Sequence, residues 1–302
     1  MTGLAVSRRA VLAGAASLAL APGGLAGCAR RPGGLGVGSK NFTEELVLGE
    51  LYAQALERAV LAVRRRLDLG TTDIAMAALR RGEIDLYPEY TGTALLTVLH
   101  LPPDSDPQRS YETVRRAYAE KYGLAWLRPA PMNDTQALAS TPALAHRLAL
   151  RTLSDLAAHA GTLRLGTVPE FLRRADGLPG LQRRYGGFRF RETRILDNGL
   201  KYSALLRGDV DVVVAFSTEG QLKADRLVTF VDDKKLFPVY QVAPVVRRSA
   251  LDAHPALAKP LDALAPLLTN DAMQAMNLAV EGSAKREPAD VAREFLDAHG
   301  LR

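Results

Sequence analysis

The sequence predicts an α/β protein of two lobes, each built on a mainly parallel sheet flanked by helices. Three observations predict it. Short apolar runs alternate with amphipathic stretches from Leu35 to about Leu99, and again from Leu163 to Phe216. That alternation is the pattern of βαβ units around a parallel sheet. The run Val210–Phe216 is apolar but for Asp211, as expected of a strand buried on both faces. Finally, Leu79-Arg80-Arg81-Gly82-Glu83-Ile84-Asp85-Leu86 echoes Leu206-Arg207-Gly208-Asp209-Val210-Asp211-Val212. Each echo reads as a helix end, a glycine stop in the left-handed cap conformation and a strand with one inward acid, so the two lobes share a construction.

Taken in order, Leu35–Gly38 is the first strand, with Ser39 or Thr43 placed to cap a helix running to about Arg58. Leu61–Leu67 is a second strand, and its Arg64-Arg65-Arg66 run reads as a solvated face rather than a nucleic-acid groove. A helix over Thr72–Arg80 stops at Gly82. Ile84–Tyr87 forms the third strand, closed by Pro88, with a helical run over Tyr90–Leu99. In the middle of the chain, Leu163–Gly166 is a strand, Pro169–Arg174 and Leu200–Leu206 are helical, and Val210–Phe216 is a strand. From Ala250 onward the chain reads as helix, punctuated by Pro255, Pro260, Pro266 and Pro288. The extended stretches Thr135–Ser140 and Phe237–Val246 are the expected crossovers. Lobe I is therefore expected over 35–136 plus 241–302, and lobe II over 137–240.

The N-terminus reads as an export signal. Ser7-Arg8-Arg9 makes a positive start, no acid precedes Cys28, and Ala10–Ala21 is almost wholly apolar. A permanent span needs about 20 apolar residues, so the run has the length of a signal peptide core. Leu25-Ala26-Gly27-Cys28 resembles a lipobox, with Cys28 as the lipidated residue, and Ser7–Leu12 also resembles a twin-arginine signal. The reading is a signal peptide over 1–27, a tether over 28–34, and an extracytoplasmic protein held to the membrane by its N-terminal lipid.

Enzyme chemistry finds little support. Cys28 is the single cysteine, so no disulfide or CxxC site exists. The five histidines are dispersed without an HExxH pair, and neither a GxSxG elbow nor a P-loop occurs. The net charge of +6 is spread among acids and apolar positions, without the clustered stripe of a nucleic-acid binder. No cofactor, metal or nucleic acid is expected. What stands out instead is aromatic residues beside glycines and hydroxyls at strand ends: Gly38–Glu45, Tyr87–Thr93 and Ala215–Gly220. Open α/β sheets bind ligands outside the carboxyl ends of their strands.

Those segments carry a resemblance. Gly38-Ser39-Lys40-Asn41-Phe42-Thr43-Glu44, Gly82 through Thr93, Met132-Asn133-Asp134-Thr135, Glu170 through Gly177, Gly208–Asp211, Phe216-Ser217-Thr218 and the motifs from Asp232 to Val246 resemble the glycine betaine/carnitine/choline-binding proteins of osmoprotectant ABC importers. The resemblance runs from about Leu35 past Glu281 and implies a type II periplasmic-binding-protein fold that holds its ligand between two closing lobes. It further implies an aromatic box at Tyr90, Gln136, Phe216 and Tyr240 around a quaternary ammonium head, and a carboxylate clamp at Lys40, Thr93 and Arg174. A methylated ammonium donates no N–H bond, so aromatic faces are its natural partners, at roughly 0.5–2 kcal/mol each. Gln136 departs from the family, standing where many members have an aromatic wall, and Phe216 keeps a ring but lacks the tyrosine hydroxyl. The implied partners are a small quaternary-ammonium or zwitterionic solute and an ABC permease driven by a separate ATPase, with the chain itself a monomer. Three alternatives stay open: the same module for a different or weakly bound cationic solute, a ligand-sensing receptor lipoprotein, and a lipoprotein enzyme on this fold.

Overall fold

The computed structural model describes residues 34–301; the leader and Cys28 lie outside the described residues. Ten strands form two five-stranded sheets. Five lie in the first sheet: β1 Leu35–Gly38, β2 Val63–Arg66, β3 Leu86–Tyr90, β4 Leu124–Trp126 and β10 Val242–Arg247, in the order β2-β1-β3-β10-β4. The second holds β5 Gln136–Ser140, β6 Arg164–Thr167, β7 Glu192–Ile195, β8 Val212–Phe216 and β9 Val228–Thr229, in the order β7-β6-β8-β5-β9. The pairing scheme is the same in both sheets. β1 runs parallel to β2 and β3, and β6 parallel to β7 and β8. β10 then lies antiparallel between β3 and β4, and β5 antiparallel between β8 and β9. The sheets are mainly parallel, as expected: four strands of each share one direction, and only the strand that crosses from the other sheet, β10 or β5, runs against them. The two connecting segments touch at an antiparallel bridge between Asn133 and Gln241.

Local chemistry explains most elements. Helix Thr43–Arg58 buries Val47, Leu48, Leu51 and Leu56 completely, at roughly 1.5–3 kcal/mol for each such side chain. Its expected cap is not formed. Phe42 occupies the cap position without a side-chain bond, while Ser39 Oγ accepts from the Asp68 N–H and donates to the Lys40 carbonyl. On β2, Arg65 reaches Glu50 and Glu57 of that helix at 2.6–3.0 Å, while Arg64 donates to the Glu83 carbonyl and Arg66 is exposed.

Pro88 does not close the third strand. It lies within β3, directly opposite Pro244 of β10 at a non-hydrogen-bonded pair, since the bonded pairs of this ladder fall at Asp85–Arg247 and Thr91–Gln241, so neither missing N–H removes a bond between β3 and β10. The helical run after β3 is a short Thr91–Thr93 turn continued by a π-helical turn over Ala94–Val98. Pro169–Leu172 is a 3-10 turn. In β8, Val212 and Val214 enter one core cluster while Val213 and Ala215 enter another, which is burial on both faces.

The internal echo has a physical basis. Gly82 and Gly208 end their helices at φ of 70° and 76°. Beyond them, Asp85 Oδ2 accepts the Gly36 N–H at 2.8 Å, and Asp211 Oδ2 accepts the Arg164 N–H at 2.8 Å. In each sheet the acid ties its strand to a parallel neighbour. The C-terminal helices pack on the first sheet's side: Gln54 Nε2 donates to the Ala289 carbonyl, and Arg58 to the Leu301 carbonyl.

Candidate functional site

Strand ends and the two connections bring the candidate residues into place. Tyr90 ends β3, Gln136 begins β5, and Phe216 ends β8 in direct register with Gln136. Tyr240 lies two residues before β10, with its ring packed against Gly92. A Cβ on Gly92 would come within 2.6 Å of two Tyr240 ring atoms, so only glycine leaves room for that ring.

Three of the seven candidates converge on a carboxylate that sequence reasoning passed over. Asp176 is 2 % exposed. Its Oδ1 accepts from Arg174 Nε at 2.9 Å, and its Oδ2 accepts from Arg174 Nη2 at 2.8 Å and Gln136 Nε2 at 2.5 Å. The Tyr240 hydroxyl also donates to Oδ2 and lies 3.2 Å from Gln136 Nε2. The guanidinium is therefore held in a bidentate, charge-assisted pair. A two-residue spacing, Arg174 to Asp176, was the available signal.

Tyr90 and Lys40 form a second group. The Lys40 ammonium lies 4.6 Å from the Tyr90 ring centroid, 2.8 Å from Glu89 Oε1 and 3.4 Å from Glu45 Oε1. Burial pulls the Lys40 pKa down, but the Glu45 and Glu89 charges outweigh it and hold it above the usual lysine value. Burial, opposed by Lys40 and reinforced by Glu89, pushes Glu45 up to about 8. Tyr90 stacks at 27° on Phe42 and donates to Glu44 Oε1 at 2.6 Å. Thr93 is buried nearby, but no hydrogen bond joins its hydroxyl to the other six candidates.

A polar bridge joins helix Thr43–Arg58 to the segment after β8. Asn277 Nδ2 donates to Glu44 Oε2 at 2.9 Å and to the Thr218 carbonyl at 3.0 Å, while the Thr218 hydroxyl donates to Asp134 Oδ1 at 2.6 Å. Burial raises Glu44, and burial together with the Glu44 charge raises Asp134 well above the ordinary carboxylate range. Glu44 and Asp134 sit inside quoted motifs, yet nothing local announced their shared burial. A cavity of about 720 Å³ opens beside the connections, lined by Asn133, Gln136, Ser217, Phe230, Phe237 and Gln274 among others. It shares only Gln136 with the candidate set.

This geometry has relatives. Residues 34–298 match the family model described as the substrate-binding domain of the ABC-type glycine betaine transport system. The chain belongs to this family. It is 37% identical over 277 residues to a glycine-betaine-binding protein of Pseudomonas aeruginosa, covering 88% of each chain. Against the glycine betaine-binding protein YehZ of Escherichia coli it is 33% identical, covering 85% of this chain and 89% of that one. A crystal structure titled as a glycine betaine/carnitine/choline ABC transporter superposes with a TM-score of 0.76 at 28% identity, covering 88% of this chain and 99% of the other. Family members are substrate-binding transport proteins, not enzymes, and the fold is that of type II periplasmic-binding proteins. Among the described residues, no helix is long and apolar enough to cross a membrane.

Proposed function

We propose that this family member is an extracytoplasmic lipoprotein, anchored through Cys28, that captures a quaternary-ammonium solute of the betaine or choline type for an ABC permease. Lobe I would comprise 35–136 and 241–302, and lobe II 137–240, closing about the paired connections at Asn133 and Gln241. Tyr90, Phe216 and Tyr240 would supply aromatic faces to the cation, with Gln136 as the fourth wall. Arg174, Lys40 and Thr93 would meet a carboxylate at the other end. The observation that carries this reading is the register of Gln136 with Phe216 beside Tyr240 and Arg174, which gathers aromatic and cationic groups from several chain segments at strand ends. The three aromatic residues are each buried or half-buried, so admission of a solute requires hinge opening of the kind two-lobed proteins use. Titration calorimetry of the purified protein against glycine betaine, choline and carnitine tests it. Saturable binding to at least one is expected, and no heat with any of the three refutes the assignment.

A second reading keeps the module and changes the cargo. It is favoured by Gln136, whose amide donates to Asp176 and Tyr240 where a ring would face a cation. An incoming carboxylate would also share Arg174 with Asp176. One relative at 32% identity is an ergothioneine permease/binding protein of Helicobacter pylori, of whose length the chain spans 47%. Adding unmethylated amino acids and ergothioneine to the titration separates the readings: an unmethylated amino acid bound tighter than glycine betaine and choline favours the second, whereas ergothioneine, itself a trimethylammonium betaine, keeps the quaternary-ammonium site of the first.

A further inference from the structure

A fully buried lysine lies outside every motif described above. Lys201, in helix Asn198–Leu206, is 0 % exposed. Its ammonium donates to Glu219 Oε1 at 2.6 Å and lies 5.1 Å from the Phe216 ring centroid. Glu219 Oε2 accepts the Phe216 N–H at 3.0 Å and also the Tyr202 hydroxyl. One carboxylate thus holds the backbone of an aromatic wall, a tyrosine and a lysine whose charge sits over that wall's ring.

The same device stands in the first sheet, assembled from different elements. Glu89 Oε1 accepts the Tyr90 N–H at 2.8 Å and the Lys40 ammonium at 2.8 Å, while its Oε2 accepts the Tyr87 hydroxyl at 2.8 Å. Lys40 lies 4.6 Å from the Tyr90 ring centroid. Lys40 comes from the segment after β1, whereas Lys201 comes from a helix preceding β8, so the likeness is not a by-product of the internal echo. A buried ion pair is weak grounds for stability, since an apolar pair of similar volume often serves as well. What both pairs share is their placement: in each, one carboxylate takes the main-chain N–H of an aromatic residue while the lysine ammonium lies over that residue's ring, with a second ring, Phe42 at 5.7 Å or Tyr202 at 5.1 Å, also within its reach.

We propose that Lys201, Glu219 and Tyr202 form a triad that positions Phe216, as Lys40, Glu89 and Tyr87 position Tyr90, so that each sheet presents one prealigned aromatic wall. Lys201 is the positioning residue that holds Glu219 in place. The inference rests on the reading of Phe216 as a wall of the solute site.

A double-mutant cycle tests it, because a residue that acts through another loses its effect when that other is removed. Dissociation constants for choline and glycine betaine are measured for the wild type, Lys201→Met, Phe216→Ala and the double variant. Lys201→Met is expected to weaken the tighter ligand about tenfold, on the scale of one cation–π wall. The double variant is expected to bind within about twofold of Phe216→Ala alone. Losses that multiply across the two positions, or wild-type affinity in Lys201→Met, overturn the triad while leaving the wall intact. Wild-type affinity in Phe216→Ala overturns the wall reading itself. Should Lys201→Met not fold, Lys201→Met/Glu219→Gln removes both charges together and enters the same cycle, with the same expected and contrary outcomes.

Discussion

Replacing Asp176 by asparagine strikes the point where the candidate site holds together. The carboxylate accepts from both Nε and Nη2 of Arg174, from Gln136 and from Tyr240, with no donor of its own. An asparagine of the same shape offers one acceptor oxygen and one NH₂, so at least one existing donor must face another donor. Removing one partner of a buried pair also leaves the other charge uncompensated, at about 3–5 kcal/mol. Arg174 keeps 25% of its side chain exposed, which places the expected loss near the low end, about 3 kcal/mol. For a domain of this size that corresponds to a fall in Tm of roughly 6–12 °C. Thermal and urea denaturation of the two proteins measure it, with an unchanged m-value showing that the unfolded state is unaltered. A loss under about 1 kcal/mol would refute the buried-hub description of Asp176.

Other consequences follow from the same geometry. Gln136→Tyr places a ring at the fourth wall and is expected to tighten glycine betaine about tenfold, one wall's worth of cation–π energy; unchanged affinity by calorimetry would mean that position 136 does not face the cation. Gly92→Ala drives a Cβ into the Tyr240 ring and is expected to cost about 1–3 kcal/mol in denaturation, together with weaker solute binding. Glu45 is raised to about 8 by burial, so the folded chain holds a proton that the unfolded chain releases near the ordinary carboxylate value. Between those pH values stability therefore falls as pH rises. Glu45→Gln, neutral throughout, is expected to flatten that decline and to gain stability at pH 8 relative to pH 5. A parallel pair of stability–pH curves would contradict it.

Elements set by local periodicity and glycine stops were legible in the sequence, although the cap expected at Ser39 or Thr43 is not formed. β1, helix Thr43–Arg58 and the glycine stops at Gly82 and Gly208 stand where their spacing predicts. What escaped depends on partners distant in the chain. β3 runs through Pro88 because its pair with Pro244 is a non-hydrogen-bonded one, and β5 and β10 run antiparallel to their neighbours as the strands that cross between the sheets. β7, Glu192–Ile195, is exposed at every position, so no hydrophobic alternation betrays it. At the candidate site, strand-end segments and aromatics could be read from motifs, and Asp176 lay within one of them. Its role could not be read, since hydrogen bonds from Gln136 and Tyr240 span 40 and 64 residues of sequence. Lys201 carried no signal at all: a lone lysine on a helix is solvent-facing by default, and only the fold places Glu219 and Phe216 around it.

Tyr90, Phe216 and Tyr240 are proposed to close around a quaternary ammonium group. Calorimetric titration of choline and glycine betaine into the wild type and into Phe216→Ala tests it most directly. Saturable one-to-one binding of at least one solute by the wild type is expected, weakened about tenfold or more by the loss of the ring. Equal affinity in the two proteins, or no binding of either solute by the wild type, would contradict it.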